Sequence, residues 1–574
     1  MIKLLKNNKG VILLLVCLVM MVLLILTGVF FSSTLSEKRF SDTQRFSLQA
    51  LGLAEAGVNH GVSEFRERIR TDLQTRVGNV HQSNVIKNYV DNNNSLGFLR
   101  DYAYAQGDTQ FSVAGNQATL QLNPLGMNTQ VNGNYTTTIT VTPNGNPTNP
   151  STDVYIFPYK FTIEALGSVT TFTPAVQRRI KLLEGRLTLT VQRANFARYA
   201  LFTSHHGTPS GTTVWFTEKT NFTGPVHTNE RFSFANNPSA TFTEEVTQHH
   251  NTARFYNQGS PILLNADSNP PWDVPIFQNG FTRGVNEIVL PSALTQNDLK
   301  NQALGTMGQP GQNGIYVPND GTNVTGGIYI RGDANSVTMG LDGDGNQTYT
   351  IVQSGTTKTI TVDYVANTTE VQTSGQQSVP VYQGIPDGID NEGVIIYDQG
   401  AINNFSGTVG QASQVTVSTE RDIVIQNHIT YEHYNAGPPL NAVGYKNLLG
   451  IISWGGNVRI GTSAPNDLQI HGVVMSVHGI FTVDNYNSGS PRGTVTLLGG
   501  AITDFYGAFG TFSGTTQRTG YGRNFVYDAR MLQGYAPPYF PYLPYFTSNE
   551  GDSDNDGIKD LDEKIIWREK SPGG

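Results

Sequence analysis

The run VILLLVCLVMMVLLILTGVFF, residues 11–31, constrains this chain more than any other feature, because it holds no Asp, Glu, Lys or Arg. A helix rises ~1.5 Å per residue, so the run reaches about 30 Å, the hydrocarbon thickness of a bilayer. It is apolar around its whole circumference, and such a helix needs lipid or other helices over every face. Lys3, Lys6 and Lys9 stand directly before it. They are expected to hold the N-terminus in the cytoplasm, which sends nearly all of the chain across the membrane. A cleaved secretory signal would have an apolar core of ~7–15 residues and a small-x-small site. Here the run is longer and passes into Phe30, Phe31, Ser32, Ser33 and Thr34. One membrane span is predicted.

The next segment reads FSDTQRFSLQALGLAEAGVNHGVSEFRERIR from Phe40, with Leu48, Leu51, Ala54, Val58, Val62, Phe65, Ile69 and Leu73 recurring three or four apart. That is one face of an α-helix. No proline occurs between Met1 and Asn123, so the span is expected to continue as an amphipathic helix to about Arg76. Gly57 and Gly61 form a GxxxG in it, read here as tolerated small residues rather than a packing motif.

A short basic leader ending in Gly10, directly before an apolar helix, resembles the type IV prepilins. QALGLAEAGV (residues 49–58) is similar to the sequence behind the membrane helix in proteins with a PilX-type N-terminal region. The resemblance implies cleavage by a prepilin peptidase between Gly10 and Val11. It also implies storage in the bacterial inner membrane and assembly with other pilin or pseudopilin subunits. Major pilins carry Glu at the fifth mature position, where it pairs with a neighbour's terminal amine. Here that position is Leu15, which implies a minor or tip subunit.

The 574 residues suffice for two or more domains. Only 14% are charged and 61 are glycine, a β- and turn-rich composition. The net charge of −8 lacks the basic signature of nucleic-acid binding. The sole cysteine, Cys17, lies in the apolar run, so neither an intrachain disulfide nor a Cys-based zinc site is available.

Five segments are expected: a leader at 1–10, a stem helix at 11–76, a pilin-like β head at 77–194, a β-rich solenoid-like domain at 195–541 and an acidic tail at 542–574. Within 109–193, QFSVAG, ATLQLN, TTTITVTP and GRLTLTVQR alternate as strands of a small antiparallel sheet. Beyond 195, short β-branched strands separated by Gly, Asn and Asp suit a solenoid without a strict period. A β-sandwich is the alternative. FARYALF (196–202), GPVHTN (224–229), GVIIY (393–397), NLLGIISWGGNVRI (447–460) and GYGRNFVYDARMLQGYAPPYFP (520–541) resemble a domain of unknown function found behind PilX-type N-termini. That resemblance implies an envelope or pilus-associated protein and no established chemistry.

The sharpest local motif is DSDNDGIKDLDE, residues 552–563. Asp552, Asp554, Asp556, Asp560 and Glu563 occupy relative positions 1, 3, 5, 9 and 12, with Gly557 at 6. That spacing wraps oxygens around calcium. The preceding segment is too rich in proline for an EF-hand helix, and the loop resembles the Asp-rich repeats of thrombospondin type 3 or dockerin modules. Asp342-Gly343-Asp344-Gly345-Asn346 reads as a hairpin turn before a calcium cradle. Arg331-Gly332-Asp333 spells an adhesion tripeptide that recurs by chance. His205, His206, His227, His249 and His250 are read as surface or turn residues rather than a zinc site, and His471 and His478 as rung residues. There is no nucleophile elbow, Walker loop or dinucleotide fingerprint.

The expectation is an α+β chain: a long N-terminal pilin-like helix with its first half transmembrane, a small antiparallel sheet and an irregular β-solenoid. It would act non-catalytically as a minor or tip type IV pilin-like subunit in pilus or pseudopilus assembly, and in surface adhesion. The rival is a membrane-tethered polysaccharide-binding protein or lyase.

Overall fold

The computed structural model describes residues 8–80, 82–104, 107–124, 133–151, 154–171, 175–182, 184–217, 220–235, 240–257, 260–265, 274–433, 446–513, 516–551, 559–562 and 567–570. The chain forms two compact units, Met1–Arg193 with Tyr545–Gly574, and Ala194–Pro544. The architecture is α+β: one long N-terminal helix, an antiparallel sheet, and an irregular solenoid.

In the first unit the helix Asn8–Glu67 passes through a π-helical turn, Arg68–Asp72, into Leu73–Val77. Its buried face is Phe46, Ala50, Leu53, Ala54, Val58, Phe65, Ile69, Leu73 and Val77. This corrects the face expected from the spacing, since Leu48 is 70% exposed. The helix is positioned by small residues four apart (Ala50, Ala54), which let it sit close to the sheet, and not by its largest side chains.

That sheet is antiparallel, in the order Phe111–Ala114, Gln117–Leu122, Gly133–Pro143, Val154–Val169, Val176–Leu182, Trp567–Lys570. The long strand Val154–Val169 organises it and alternates in burial almost throughout, as a half-buried strand should. One edge pairs with Gly133–Pro143. The other is shared: its first half pairs with Gly185–Asn195 and its second with Val176–Leu182. Strand Tyr542–Glu550 returns to pair with Gly185–Asn195. The core joins the helix residues Phe65, Ile69 and Leu73 to Phe98, Phe157, Tyr159, Leu189 and Phe546.

Gly57 and Gly61 are part of this seat, and not the incidental small residues their spacing suggests. A Cβ at Gly57 would lie 2.8 Å from the Ala165 Cβ and the Thr137 Oγ1, and one at Gly61 2.7 Å from Ile163 Cγ2. Thr137 Oγ1 donates to the Gly57 carbonyl at 2.8 Å. On the sheet side, a Cβ at Gly167 would collide with the Ala50 carbonyl. Gly61→Ala is therefore expected to destabilise the unit by about 1–3 kcal/mol, the usual cost of overpacking, and Gly61→Leu by more. Denaturant melts of the two variants check this; unchanged midpoints would refute the close seat.

The second unit is a parallel β-helix. Ten strands stack in one parallel ladder: Ile328–Arg331, Val394–Asp398, Gln414–Thr419, Leu448–Ser453, Gln469–Val483, Pro491–Phe505, Leu201–His205, Val226–Thr228, Val246–Gln248 and Phe281–Arg283. A second ladder runs beside it through Ser336–Leu341, Ile402–Val409, Ile423–Tyr431, Val458–Ile460 and the end of Gln469–Val483. Parallel stacking of successive coils decides for a solenoid over a sandwich, whose sheets are antiparallel.

Registry explains the sequence pattern. One row of the first ladder is Ile328, Ile396, Val417, Ile451, Val474, Ala501, Leu201, Val226, Val246 and Phe281, all buried. A row two residues on is polar yet buried, with Asp398, Thr419, Ser453, Ser476, Thr503, Thr203, Thr228 and Gln248. These groups satisfy the corners: Ser453 Oγ donates to the Arg421 carbonyl at 2.7 Å and Ser476 Oγ to the Gly456 carbonyl at 2.8 Å. Buried hydroxyls with such partners cost little. The interior of the 201–283 coils is packed by Phe216, Phe222, Phe232, Phe234, Phe242, Phe277 and Phe281.

The order of rungs is not the order of the chain. Rung 201–205 stacks on rung 491–505, so the unit begins and ends in the middle of its own stack. From Phe281–Arg283 the chain returns along the coils to the far end. Ile288 is held by Asn229, Gln296 by Tyr397 and Lys300 by Glu420, the last two from the helix Ala293–Leu304. The unit's two termini are tied together, with Phe196 N donating to the Pro541 carbonyl at 3.1 Å and Asn195 Nδ2 to the Phe540 carbonyl at 2.9 Å. Adjacent termini are what allow one domain to be inserted into another.

Candidate functional site

The feature that no part of the described structure covers is the first half of the stem. Every residue from Val11 through Ser41 is exposed although helical. The exposed set includes Leu14 at 67%, Leu24 at 72% and Phe30 at 71%. Fully burying one such side chain is worth about 1.5–3 kcal/mol, so the segment stores a large drive toward lipid or other apolar helices. Two of its threonine hydroxyls are satisfied within the helix, as suits a bilayer. Thr27 Oγ1 donates to the Leu23 carbonyl at 2.6 Å and Thr34 Oγ1 to the Phe30 carbonyl at 2.8 Å. Charge resumes with Glu37, Lys38 and Arg39 beside Phe40, a suitable interfacial boundary. Among the described residues, one helix is therefore long and apolar enough to cross a membrane. Gly10, Val11 and Leu15 lie on this same continuous helix.

Near the C-terminal end of the sheet-bound half of the stem, its arginines grip the C-terminal segment of the same unit. Arg66 Nε donates to the Leu561 carbonyl at 2.9 Å. Arg70 pairs with Glu550 at 3.0 Å and Asp562 at 2.9 Å. Burial works against the Arg70 charge, but the bonds to Asp562 and Glu550 outweigh it and raise its pKa. Asp560 is buried. Its Oδ2 accepts the Thr188 N–H at 2.7 Å, and its own N–H donates to the Gly551 carbonyl at 3.1 Å. Of the predicted calcium ligands, Asp552, Asp554, Asp556 and Glu563 lie outside the described residues. Among the described residues no cluster of three or more His, Cys, Asp or Glu could hold a metal.

The remaining motifs are structural. Asp342 Oδ1 accepts the N–H groups of Asp344 (2.9 Å) and Asn346 (2.8 Å), capping the hairpin between Ser336–Leu341 and Gln347–Gln353. Asp333, the last residue of the adhesion tripeptide, accepts the Ala401 N–H at 3.0 Å. The histidines are not all surface residues. His227 is fully buried. Asn229 Oδ1 accepts both the Ile288 N–H (2.9 Å) and His227 Nε2–H (2.9 Å), which leaves His227 Nδ1 to accept from Thr247 Oγ1 (2.8 Å). Burial lowers its pKa to about 4, against the Asn229 bond. His206 is caged by Phe216, Phe232 and Tyr506, and burial, aided by the Arg523 charge, lowers it to about 3. His471 is a buried rung residue whose Nδ1 accepts the Tyr431 N–H at 2.9 Å. Alternation puts His227 on the face opposite Val226 and Thr228, and that face is covered by Tyr199 and Phe202, which the sequence around His227 does not announce.

A protein-family model described as a domain of unknown function (DUF4900) matches residues 154–250. This stretch holds FARYALF and GPVHTN. A search of curated proteins finds no match. Among solved structures, the crystal structure of the competence-associated pilin ComZ from Thermus thermophilus aligns at 10% identity and a TM-score of 0.30, over 92% of this chain and 98% of that one.

Proposed function

We propose that this chain is a type IV pilin-like subunit that is held in the bacterial inner membrane by residues 11–31 and is then drawn among the stems of other pilin or pseudopilin subunits. The β-rich units ride on the outer side. The observation that carries this reading is a single unbroken helix whose second half is seated on an antiparallel sheet while its first half is apolar on every side and uncovered. Leu15 in place of a carboxylate removes the charge pairing by which repeating subunits would register. A minor or tip position, initiating or capping the fibre and presenting the solenoid to surfaces, follows. The role is assembly by helix burial, without catalysis.

On this reading a prepilin peptidase cuts after Gly10. Intact-mass analysis of membrane-extracted protein is expected to give Val11 as the first residue, and Gly10→Ala or a bulkier change to leave the uncleaved precursor. Retention of Met1 in the wild-type chain would remove the reading.

The reading includes calcium held by Asp552, Asp554, Asp556, Asp560 and Glu563. What supports it is the ligand spacing, together with a segment whose flanks are fixed by Thr188, Arg66 and Arg70. Titration calorimetry is expected to show one site that Asp554→Ala with Asp556→Ala abolishes; unchanged binding in the double variant would refute the assignment.

A further inference from the structure

Among the described residues Arg523 is a cation without a counter-charge. It lies on the strand Thr516–Val526 in register with Val495, which is fully buried. Parallel partners share a face, so its side chain turns toward the interior of the coil. Among the described residues it makes no ion pair and donates no hydrogen bond. Its guanidinium carbon instead lies 5.0 Å from the Tyr506 ring centroid and 5.9 Å from that of Phe509. Burial alone pulls it down to about 10. Rings offset part of the desolvation of a guanidinium, but they satisfy none of its five N–H donors. Also against Tyr506, 5.6 Å between ring centroids, stands His206, itself 3% exposed. Neither of its ring nitrogens has a partner. A buried imidazole is rarely left so, and it meets the unpaired Arg523 at one ring. Arg523 remains partly exposed, so the place is open to solutes.

The geometry points to an anion site in the second unit, in which Arg523 takes a small oxyanion, a carboxylate or a phosphate, against the aromatic wall of Tyr506 and Phe509. The planar guanidinium matches either group through two parallel N–H···O bonds. The neutral His206 imidazole can add one N–H donor if its ring turns toward Tyr506. The site does not depend on the pilin reading, and either can fail alone.

Thermal unfolding of the full chain in detergent tests it, with acetate, glucuronate and inorganic phosphate as probes against sodium chloride at matched ionic strength. A saturable rise in Tm of about 2–5 °C is expected. It should be absent in Arg523→Met and kept in Arg421→Gln, which removes a guanidinium that is 72% exposed. In sodium chloride alone, Arg523→Met should melt no lower than the wild type, because it deletes an unpaired charge. A response to the carboxylates alone identifies an acidic sugar or small acid as the ligand class, and one to phosphate alone a phosphorylated one. The same shift in Arg523→Met, or no saturable shift with any probe, would overturn the site.

Discussion

A chain beginning at Ser41 is expected to be soluble and folded without detergent, whereas one beginning at Gln82 is expected to lose the first unit. From Val11 onward, the first cut removes only residues that are exposed in the structure. The second removes Phe46, Leu53, Val58, Phe65, Ile69, Leu73 and Val77, each less than 10% exposed. At roughly 1.5–3 kcal/mol for each buried apolar side chain, the last four alone are worth about 8 kcal/mol, comparable to the net stability of a whole domain. Size-exclusion chromatography and near-UV circular dichroism of the two truncated chains check this. The second unit, whose ends are tied at Phe196 and Pro541, should survive in both. A folded first unit in the shorter chain would contradict the core described here.

Acidification should unfold the second unit well before carboxylate protonation does. His206, His227 and His471 are neutral and buried, lowered to about 3, 4 and 4, while an unfolded histidine titrates near 6.5. Between those values the unfolded state binds more protons, so stability is complete above pH 6.5 and is lost as the pH falls toward 4. Each histidine costs about 1.4 kcal/mol per pH unit in that window, or about 2 kcal/mol by pH 5. Asp398 runs the opposite way: burial raises it, so its protonation on acidification favours the fold and offsets part of the loss. His206→Phe, which suits a cage of Phe216, Phe232 and Tyr506, should flatten the dependence. Melts at pH 7.5 and 5 on wild type and variant measure it; identical slopes would contradict the burial of His206.

The helix of the stem was legible because residues 11–31 are an uninterrupted apolar run. The solenoid was legible for a similar reason, since strands such as Val394–Asp398 and Leu448–Ser453 are β-branched or apolar on nearly every position and bounded by turn residues. What stayed hidden is non-local. Nothing in Leu201–His205 announces that its partner is Pro491–Phe505, nearly three hundred residues on, and so neither the scrambled rung order nor the joined termini could be read. The segment at 542–550 looks like a Pro-rich lead into an acidic tail, yet it supplies a strand beside Gly185–Asn195. Gly57 and Gly61 looked incidental because a motif on one element does not reveal what approaches it. His206 and His227 read as surface residues because polarity alone is visible in the sequence and the cover over their faces is not, whereas His471 reads correctly as a rung residue. Of the five proposed ligands in the acidic motif at 552–563, only Asp560 is among the described residues.

The central claim is that the uncovered stem ends among other stems. A photo-crosslinking residue at Leu24, which is 72% exposed, placed in the native chain in its own cells, tests it most directly. The account predicts membrane-extracted adducts with the apolar helix of a second prepilin-like protein, mapped by mass spectrometry, that disappear when fibre assembly is blocked. Adducts with lipid alone, in cells that are assembling fibres, would contradict it.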